Sequence, residues 1–309
     1  MKKIYRFTIP FLLINLILAA CSSIGGSVSK AAISLTDGLG REVNLASPAE
    51  KIISLAPSNT EILFAIGAGG QLIGRDEFSD YPLEAGDLPS VGGSMGNYDM
   101  EKIASLQPDL VLAAVGIITP EQVQTLEKLG LTVFSIADPI DLAGLYANIG
   151  SVGKLTGHEN EAASLVKSLK NRVDTVTSRL VDVTEKPLVY YELDASDLAK
   201  PWTPGPESFI TMLIQLAGGR SVGESLTSSY AQISLEALLT QNPDIILVRS
   251  GTGSVSPEDV ALRDGWQSIK AIQENQVFTI DENIISRPGP RLVDGLETLA
   301  KLLYPEIFK

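Results

Sequence analysis

The hydrophobic positions between His158 and Val183 recur with alternating spacings of three and four residues. This spacing places them on one stripe of an α-helix, while charged residues occupy the other faces. Pro187 follows the run and is expected to stop it. The pattern predicts a long helix, which we place at 157–184. An ordinary surface helix would show the same local pattern, so its role depends on the chain to either side.

The two stretches that flank this helix resemble each other. Residues 101–112 run from a short helix through a Pro-Asp turn into a buried strand, and residues 236–247 do the same with the same spacing. A Gly-Gly-x-x-x-Gly segment comes earlier in each half, at 69–74 and at 218–223. Two matches in the same order predict two lobes of similar build, with the helix as a rigid connection between them.

Predicted strands alternate with predicted helices in both lobes, which we place at 33–156 and 185–309. This order is typical of an α/β fold with mainly parallel sheets covered on both faces. A hairpin is expected at the start of the first lobe, around the Asp37-Gly38 turn. Asn59 or Thr60 is expected to cap the helix that follows the first buried strand.

Ligands of such sheets lie outside the carboxyl ends of the strands, so we expect a ligand cleft between the two lobes. In the first lobe, four loops are predicted at this edge: 58–59, 79–81, 94–98 and 115–119.

The first twenty residues, 1–20, have the features of an export signal. Three basic residues precede an apolar run at 7–18, and Leu-Ala-Ala then leads to Cys21. Because Cys21 is the only cysteine, an intramolecular disulfide is impossible and a lipid anchor is the more natural role. A plain signal peptide with a chance cysteine is the alternative. Residues 21–32 are rich in Gly, Ser and Ala and are interpreted as a flexible tether.

The charge and the residue types exclude several functions. Without the three basic residues of the signal, 21 Lys and Arg face 37 Asp and Glu, a net charge of −16, which argues against nucleic acid as a partner. His158 is the only histidine, so neither a histidine metal cluster nor a Ser-His-Asp site is available. No phosphate-binding glycine loop follows a strand. We therefore expect no enzyme, no catalytic cofactor and no metal site.

The candidate ligand-binding residues are mostly aromatic. Such side chains offer flat apolar area with a polar group at one end. Each is interpreted either as a cleft residue or as core: Tyr81 and Tyr98 in the first lobe, and Trp202 and Tyr230 in the second.

Asn283 and Arg287 follow the last predicted strand. Arg287 is interpreted either as a hydrogen-bond donor that faces the cleft or as a solvated surface residue. Trp266 is assigned to the core because apolar residues follow it at helical spacing. Glu101 and Glu236 occupy the first turns of equivalent helices in the two lobes. A favourable interaction with the helix dipole is enough to explain an acid at this position. Because the two helices are equivalent, the glutamates could also give a binding partner one acidic contact on each lobe.

Several segments carry a family resemblance, from about Asp37 to Pro305. The chain resembles the substrate-binding lipoproteins of bacterial ABC importers that carry cobalamin, siderophores or haem, and within them the vitamin B12 binding proteins. The segments are Asp37–Val43, Ile53–Glu61, Ser79–Pro82, Pro108–Asp109 and Arg287–Arg291.

The resemblance implies roles for particular residues. Tyr81, Trp202 and Tyr230 match cleft aromatics, and Arg287 matches an arginine near the corrin amides. Glu101 and Glu236 match the glutamates that dock on the permease. Where the family has cleft tryptophans, this chain has Met95 and Ala114.

The resemblance also implies a bound corrinoid such as cobalamin, with a ferric siderophore or haem as the alternative. The expected partners are an ABC importer permease dimer with its ATPase subunits, and the membrane through a lipid on Cys21. A monomer outside the cytoplasm is expected.

Overall fold

The computed structural model describes residues 33–251 and 254–309. The signal, the tether and Cys21 lie outside these residues. The first lobe begins with the predicted hairpin and continues as alternating strands and helices. Its elements are β1 (Ile33–Thr36), β2 (Glu42–Leu45), β3 (Ile52–Ser54), α1 (Pro57–Ala65), β4 (Leu72–Arg75), α2 (Met100–Ser105), β5 (Leu110–Ala114), α3 (Pro120–Lys128), β6 (Val133–Ile136) and α4 (Leu142–Thr156).

A single helix, α5 (Glu159–Arg179), leads to the second lobe. The elements of that lobe are β7 (Leu188–Glu192), β8 (Trp202–Pro204), α6 (Phe209–Leu216), β9 (Arg220–Ser221), β10 (Tyr230–Gln232), α7 (Leu235–Gln241), β11 (Ile245–Ser250), α8 (Pro257–Ala261), α9 (Lys270–Gln273), β12 (Val277–Asp281), α10 (Glu282–Ile285) and α11 (Leu292–Leu303). None of the helices in the described ranges combines the length and the apolar content that a bilayer crossing requires.

The main sheets of the two lobes have the same topology. The first is ordered β4-β3-β5-β6 and the second β9-β7-β11-β12, and all neighbouring strands are parallel. When the strands are numbered within their own sheet, each sheet has the strand order 2-1-3-4. The predicted fold, two similar α/β lobes joined by one helix, is confirmed.

The repeated Pro-Asp turn has the same structure in both lobes. The residue before each proline is left-handed, with φ of 51° at Gln107 and 50° at Asn242. The carboxylate of Asp109 accepts hydrogen bonds from the backbone N–H groups of Glu50 and Lys51 at 3.0 Å, ahead of β3. The carboxylate of Asp244 accepts one at 2.7 Å from the first residue of β7. Each aspartate thus satisfies backbone donors at the start of the neighbouring strand.

The linking helix is held to both lobes by its apolar stripe. Ala162, Leu169, Val173 and Val176 are buried in one hydrophobic cluster that includes residues of both sheets. On its second-lobe side, Arg172 forms ion pairs with two carboxylates of α11 at 2.5 and 2.8 Å. Because the core is continuous through α5, the helix is packed along its length and is not a free linker.

The start of α1 differs from the prediction. The helix begins at Pro57 with Ala56 as its N-cap, so neither Asn59 nor Thr60 caps it. Both side chains are buried within the helix: the Asn59 amide donates to the Ala113 carbonyl at 2.9 Å, and the Thr60 hydroxyl donates to the Ser54 hydroxyl at 2.8 Å. The cap prediction is wrong because proline is favourable at the first helical position and starts the helix earlier.

Candidate functional site: the cleft between the lobes

Two adjoining cavities lie between the lobes, and Ser58, Ile117, Ser286 and Pro288 line both. The first, named the Tyr98 cavity after a lining residue, has a volume of about 340 Å³. The second, the Tyr230 cavity, has a volume of about 310 Å³. Their first-lobe walls come from loops after the carboxyl ends of strands, as expected for a parallel sheet.

The Tyr98 cavity combines apolar walls with a buried acid. The Tyr98 hydroxyl donates to the Leu55 carbonyl at 2.9 Å, which fixes its ring along the wall. Phe78 and Ile117 add apolar area and are exposed by 52% and 48%. Phe78 and Ile117 were not among the predicted site residues. Large apolar side chains this exposed, within a cavity, are typical of a ligand surface.

Asp76 lines the same cavity and is only 2% exposed. One carboxylate oxygen accepts a hydrogen bond from the Ser79 hydroxyl, and the other accepts the Phe78 backbone N–H at 2.9 Å. Burial raises the pKa of Asp76, although the bonds from Ser79 and Phe78 act in the opposite direction.

Arg287 lines the Tyr98 cavity, as predicted, but its charge is already compensated. Its Nη1 lies 2.5 Å from Asp80 Oδ1 and 3.6 Å from Glu61 Oε1, both in the first lobe. Burial alone would raise the pKa of Asp80, but the hydrogen bond and charge of Arg287 outweigh it and the pKa is lowered. Arg287 therefore acts as a bridge between lobes in this structure.

Arg291 forms a second bridge. Its Nη2 and Nε donate to the two Glu61 carboxylate oxygens at 2.6 and 3.0 Å. Burial raises the pKa of Glu61, against the lowering influence of Arg291 and Arg287. The chain passes very close to Glu61 at Gly289, where an added Cβ would lie 3.2 Å from the carboxylate. The segment 287–291 thus fastens the second lobe directly to α1.

Tyr81 lies beside this bridge. The Arg291 guanidinium stacks over its ring with 4.0 Å between the guanidinium carbon and the ring centroid. Tyr81 is exposed and lines neither cavity. The structure therefore places it at the rim of the cleft.

Trp202 and Tyr230 lie on a two-stranded ribbon of the second lobe, formed by antiparallel β8 and β10. The register pairs Trp202 with Gln232 and Tyr230 with Pro204, so the two aromatics share one face. Tyr230 lines the Tyr230 cavity together with Asp138, and burial and this acid raise its pKa. Trp202 is 41% exposed on the same face but lines neither cavity.

The remaining predicted ligand residues are distributed as follows. Asn283 lines the Tyr98 cavity beside Glu282, whose carboxylate is paired with Arg249 at 2.9 Å. Ala114, which was not among the predicted ligand residues, lines the Tyr230 cavity. Met95 belongs to the 3₁₀ turn Ser94–Gly96, and its side chain lies outside what the structure describes.

A third cavity of about 290 Å³ lies in the second lobe, at the carboxyl ends of β7 and β11. Glu192 lines it and is bound by both terminal nitrogens of Arg263, at 2.5 and 2.8 Å. Arg263 in turn stacks on fully buried Trp266 with 4.7 Å to the ring. The assignment of Trp266 to the core is confirmed. Both carboxylate oxygens of Glu192 are already bound by Arg263, so this ion pair needs no ligand to balance its charge.

Glu101 and Glu236 occupy the predicted first turns of α2 and α7, after the N-caps Asp99 and Ser234. Both glutamates are exposed, and neither forms an ion pair with any described residue. Within the described ranges no group of three or more His, Cys, Asp and Glu is placed to hold a metal ion. His158 is the N-cap of α5 and lines neither cavity.

Two similar α/β lobes, joined by one packed helix and enclosing an aromatic cleft, define a two-lobed ligand-binding protein. The chain belongs to the periplasmic binding protein family, whose sequence profile matches residues 52–284. Members of this family are transport proteins that present a small molecule to an importer.

The relatives agree on the class and differ in ligand. An uncharacterized ABC transporter substrate-binding lipoprotein of Bacillus subtilis, YvrC, is 29% identical over the full length of both chains. The vitamin B12 binding protein of Vibrio cholerae superposes with a TM-score of 0.70 at 26% identity, covering 84% of this chain and 98% of the other. A possible iron-binding, periplasmic solute-binding protein of Staphylococcus epidermidis superposes with a TM-score of 0.73 at 27% identity, covering 84% and 100%.

Proposed function

We propose that this protein captures a corrinoid outside the cytoplasm and delivers it to the permease of an ABC importer. The observation that carries the choice of ligand is the way the charged side chains of the cleft are paired. Arg287 and Arg291 are each already paired with carboxylates of the first lobe, and Asp76 and Asp138 add negative charge to the two cavities.

This charge balance favours a ligand without acidic groups. The propionates of haem, and many ferric siderophores, are anionic and would need a cation that is free to pair with them. The rim of a corrin ring instead carries carboxamides, whose N–H groups donate to carboxylates and whose carbonyls accept from arginine. The B12-binding relative in Vibrio cholerae supports the same choice.

The apolar walls suit a large flat ligand. Phe78 and Ile117 offer exposed area from the first lobe, and Tyr230 offers it from the second. Aromatic and aliphatic surfaces of this kind gain free energy in proportion to the apolar area they remove from water.

Calorimetric titration of the purified mature chain tests the proposal. Cyanocobalamin and cobinamide are expected to bind at micromolar concentrations or below, and haemin and ferric siderophores are expected to bind more weakly. Absence of corrinoid binding at micromolar levels would refute the corrinoid proposal. Mass analysis of the recovered ligand tests the absence of catalysis, because an unchanged mass is expected.

Haem is the second candidate, and one observation favours it. Tyr81 lies exposed at the rim of the cleft, and tyrosine is one of the residues that can hold haem iron. Tyr98 and Tyr230 are poorer iron ligands because burial raises the pKa of both phenols. Haemin titration followed by absorbance decides: a charge-transfer band that disappears in Tyr81→Phe would support haem.

Delivery to the permease is assigned to Glu101 and Glu236. Each lies on the surface of one lobe, so a two-fold permease dimer would meet one glutamate per subunit. An exposed ion pair contributes only about 0.2–1 kcal/mol, so the expected role is orientation of the complex. Reversal of both to Lys should abolish ligand uptake by cells and leave ligand affinity and melting temperature near wild type. Normal uptake by this variant would contradict the assignment.

Membrane attachment is assigned to a lipid on Cys21, which lies outside the described residues. The lipoprotein name of the relative in Bacillus subtilis supports this assignment. Mass spectrometry of the mature N-terminus should find a diacylglyceryl cysteine in the wild type. Cys21→Ala should release the protein from the membrane fraction, and retention of this variant there would contradict the assignment.

A further inference from the structure

Each cavity of the cleft contains one carboxylate that lies outside the ion pairs of the described residues. Asp76, in the Tyr98 cavity, directly follows β4, and Asp138, in the Tyr230 cavity, lies two residues after β6. Neither forms an ion pair with any residue in the described ranges. They differ in this from Glu61 and Asp80, which are paired with the arginines of the second lobe.

The sheet sets the approximate spacing of the two strands that these acids follow. Strands β4 and β6 are the two edges of the first-lobe sheet, with β3 and β5 between them. Three inter-strand steps correspond to roughly 14 Å, which is the width of a large tetrapyrrole-like ring with its substituents.

The surface between the two acids is mainly apolar, although Ser58 and Ser286 also line both cavities. Ile117 and Pro288 line both cavities, and Ala114 and Val115 line the Tyr230 cavity next to them. The cleft therefore presents a carboxylate, a mainly apolar middle and a second carboxylate in that order.

We propose that Asp76 and Asp138 are specificity-determining residues. They select a flat ligand that carries uncharged N–H donors, such as carboxamides, on opposite edges, and they reject one that carries carboxylates there. This inference rests on the proposed function and names the chemical class that the same cleft accepts.

The chemistry follows from the free acceptor positions. Each carboxylate oxygen accepts about two hydrogen bonds, and Ser79 and Phe78 occupy only one on each oxygen of Asp76. The Asp138 carboxylate accepts none from the described residues, so all its positions are available to a ligand. An amide N–H that meets such a carboxylate forms a charge-assisted hydrogen bond, whereas a ligand carboxylate meets like charge.

The test compares cyanocobalamin with its monocarboxylic acids, in which one peripheral amide is hydrolysed. By titration calorimetry at pH 7.5, the wild type should bind the amide form at least about tenfold more tightly than the acid that faces a cleft carboxylate. Asp76→Asn and Asp138→Asn keep the side-chain shape and remove the charge. Each should reduce this ratio to about threefold or less for one of the acids.

Asp182→Asn is the matched control, since it removes one negative charge from the exposed turn after α5 and should leave the ratio unchanged. The Asp138 side chain forms no hydrogen bond with the described residues, so Asp138→Asn is expected to fold. This variant alone can decide the test if Asp76→Asn fails to fold. Equal binding of amide and acid by the wild type, or ratios unchanged in the folded Asn variants, would overturn the inference.

A second ligand pair separates this inference from the corrinoid proposal. If no corrinoid binds, the corrinoid proposal falls, and haemin is then compared with haemin whose two propionates have been amidated. If the wild type binds the amidated form more tightly, and if Asp76→Asn or Asp138→Asn loses this preference, selection by charge is supported. Equal binding of the two forms, tighter binding of free haemin, or binding of neither would overturn it.

Discussion

The ion pair between Glu61 and Arg291 should be the strongest single polar tie between the lobes. Glu61 belongs to α1, its side chain is 2% exposed, and both oxygens are bound by Arg291 at 2.6 and 3.0 Å. Glu61→Ala removes the acceptor, leaves the partly buried Arg291 guanidinium without its carboxylate, and opens a small cavity against Gly289. We expect this variant to lose stability without loss of the fold.

The size of the stability loss depends on the contacts that Arg287 and Arg291 keep in the variant. Removing one partner of a buried ion pair typically costs about 3–5 kcal/mol. Here the cost is lower because Arg287 keeps Asp80 at 2.5 Å, Arg291 keeps the ring of Tyr81 at 4.0 Å, and burial already disfavours the Glu61 charge. We expect about 2–4 kcal/mol, which corresponds to a fall in melting temperature of roughly 3–7 °C for a chain of this size.

Urea unfolding and thermal melting of the mature chain at pH 7.5 measure this loss. Glu297→Ala is the matched control, because its partner Arg172 is a third exposed and the pair should contribute less than about 1 kcal/mol. A double variant of Glu61→Ala with Arg291→Gln should lose less than the sum of the two single losses, since no unpaired charge remains. A loss for Glu61→Ala no larger than that of the control would refute the reasoning.

Three further predictions concern the aromatics, the pH and the lobes. Trp202→Ala should weaken corrinoid binding in calorimetry by about 1–3 kcal/mol, and unchanged affinity in folded protein would exclude Trp202 from the site. Burial would raise the pKa of Asp37, but the Arg41 hydrogen bonds and charge outweigh it and lower the pKa. Its stabilisation is therefore present above the usual aspartate pKa of about 4 and is lost as pH falls through the lowered value. The melting temperature, measured from about pH 6 down to about pH 3, should fall less steeply with pH in Asp37→Asn than in the wild type. Small-angle scattering should show no domain-scale closure on ligand binding, and a change of several ångströms in radius of gyration would contradict this.

The fold was predictable to the extent that local pattern determines it. The period of α5 and the repeated Pro-Asp turns are local features, and both led to the correct two-lobed architecture. Helix α4 (Leu142–Thr156) was not predicted, because its Gly-containing and uniformly apolar sequence shows little amphipathic contrast. The β8–β10 ribbon was not predicted, since its pairing joins strands far apart in sequence.

The candidate site was predictable by residue type more than by geometry. Tyr98, Tyr230, Asn283 and Arg287 do line the cleft cavities, because loops after parallel strands converge at one edge. The pairing of Arg287 with Asp80 was not predictable, since it joins residues 207 positions apart. Asp76 and Asp138 gave no distinguishing pattern in a chain with 37 acidic residues. Only the structure shows that each lies in a cleft cavity and outside the ion pairs of the described residues.

The rigidity of the frame and the chemistry of the cleft are connected. Helix α5 and the contact of residues 287–291 with α1 hold the lobes at two places, so the cavities are formed before the ligand arrives. A hinged protein adjusts the width of its cleft to the ligand, whereas here Asp76 and Asp138 follow two strands whose spacing is set by one sheet. Selectivity must then come from the ligand matching a fixed spacing. Affinity benefits because little ordering entropy is lost on binding. Loosening the contact through Glu61→Ala should therefore weaken the discrimination between ligands of different width more than it weakens binding of the best one.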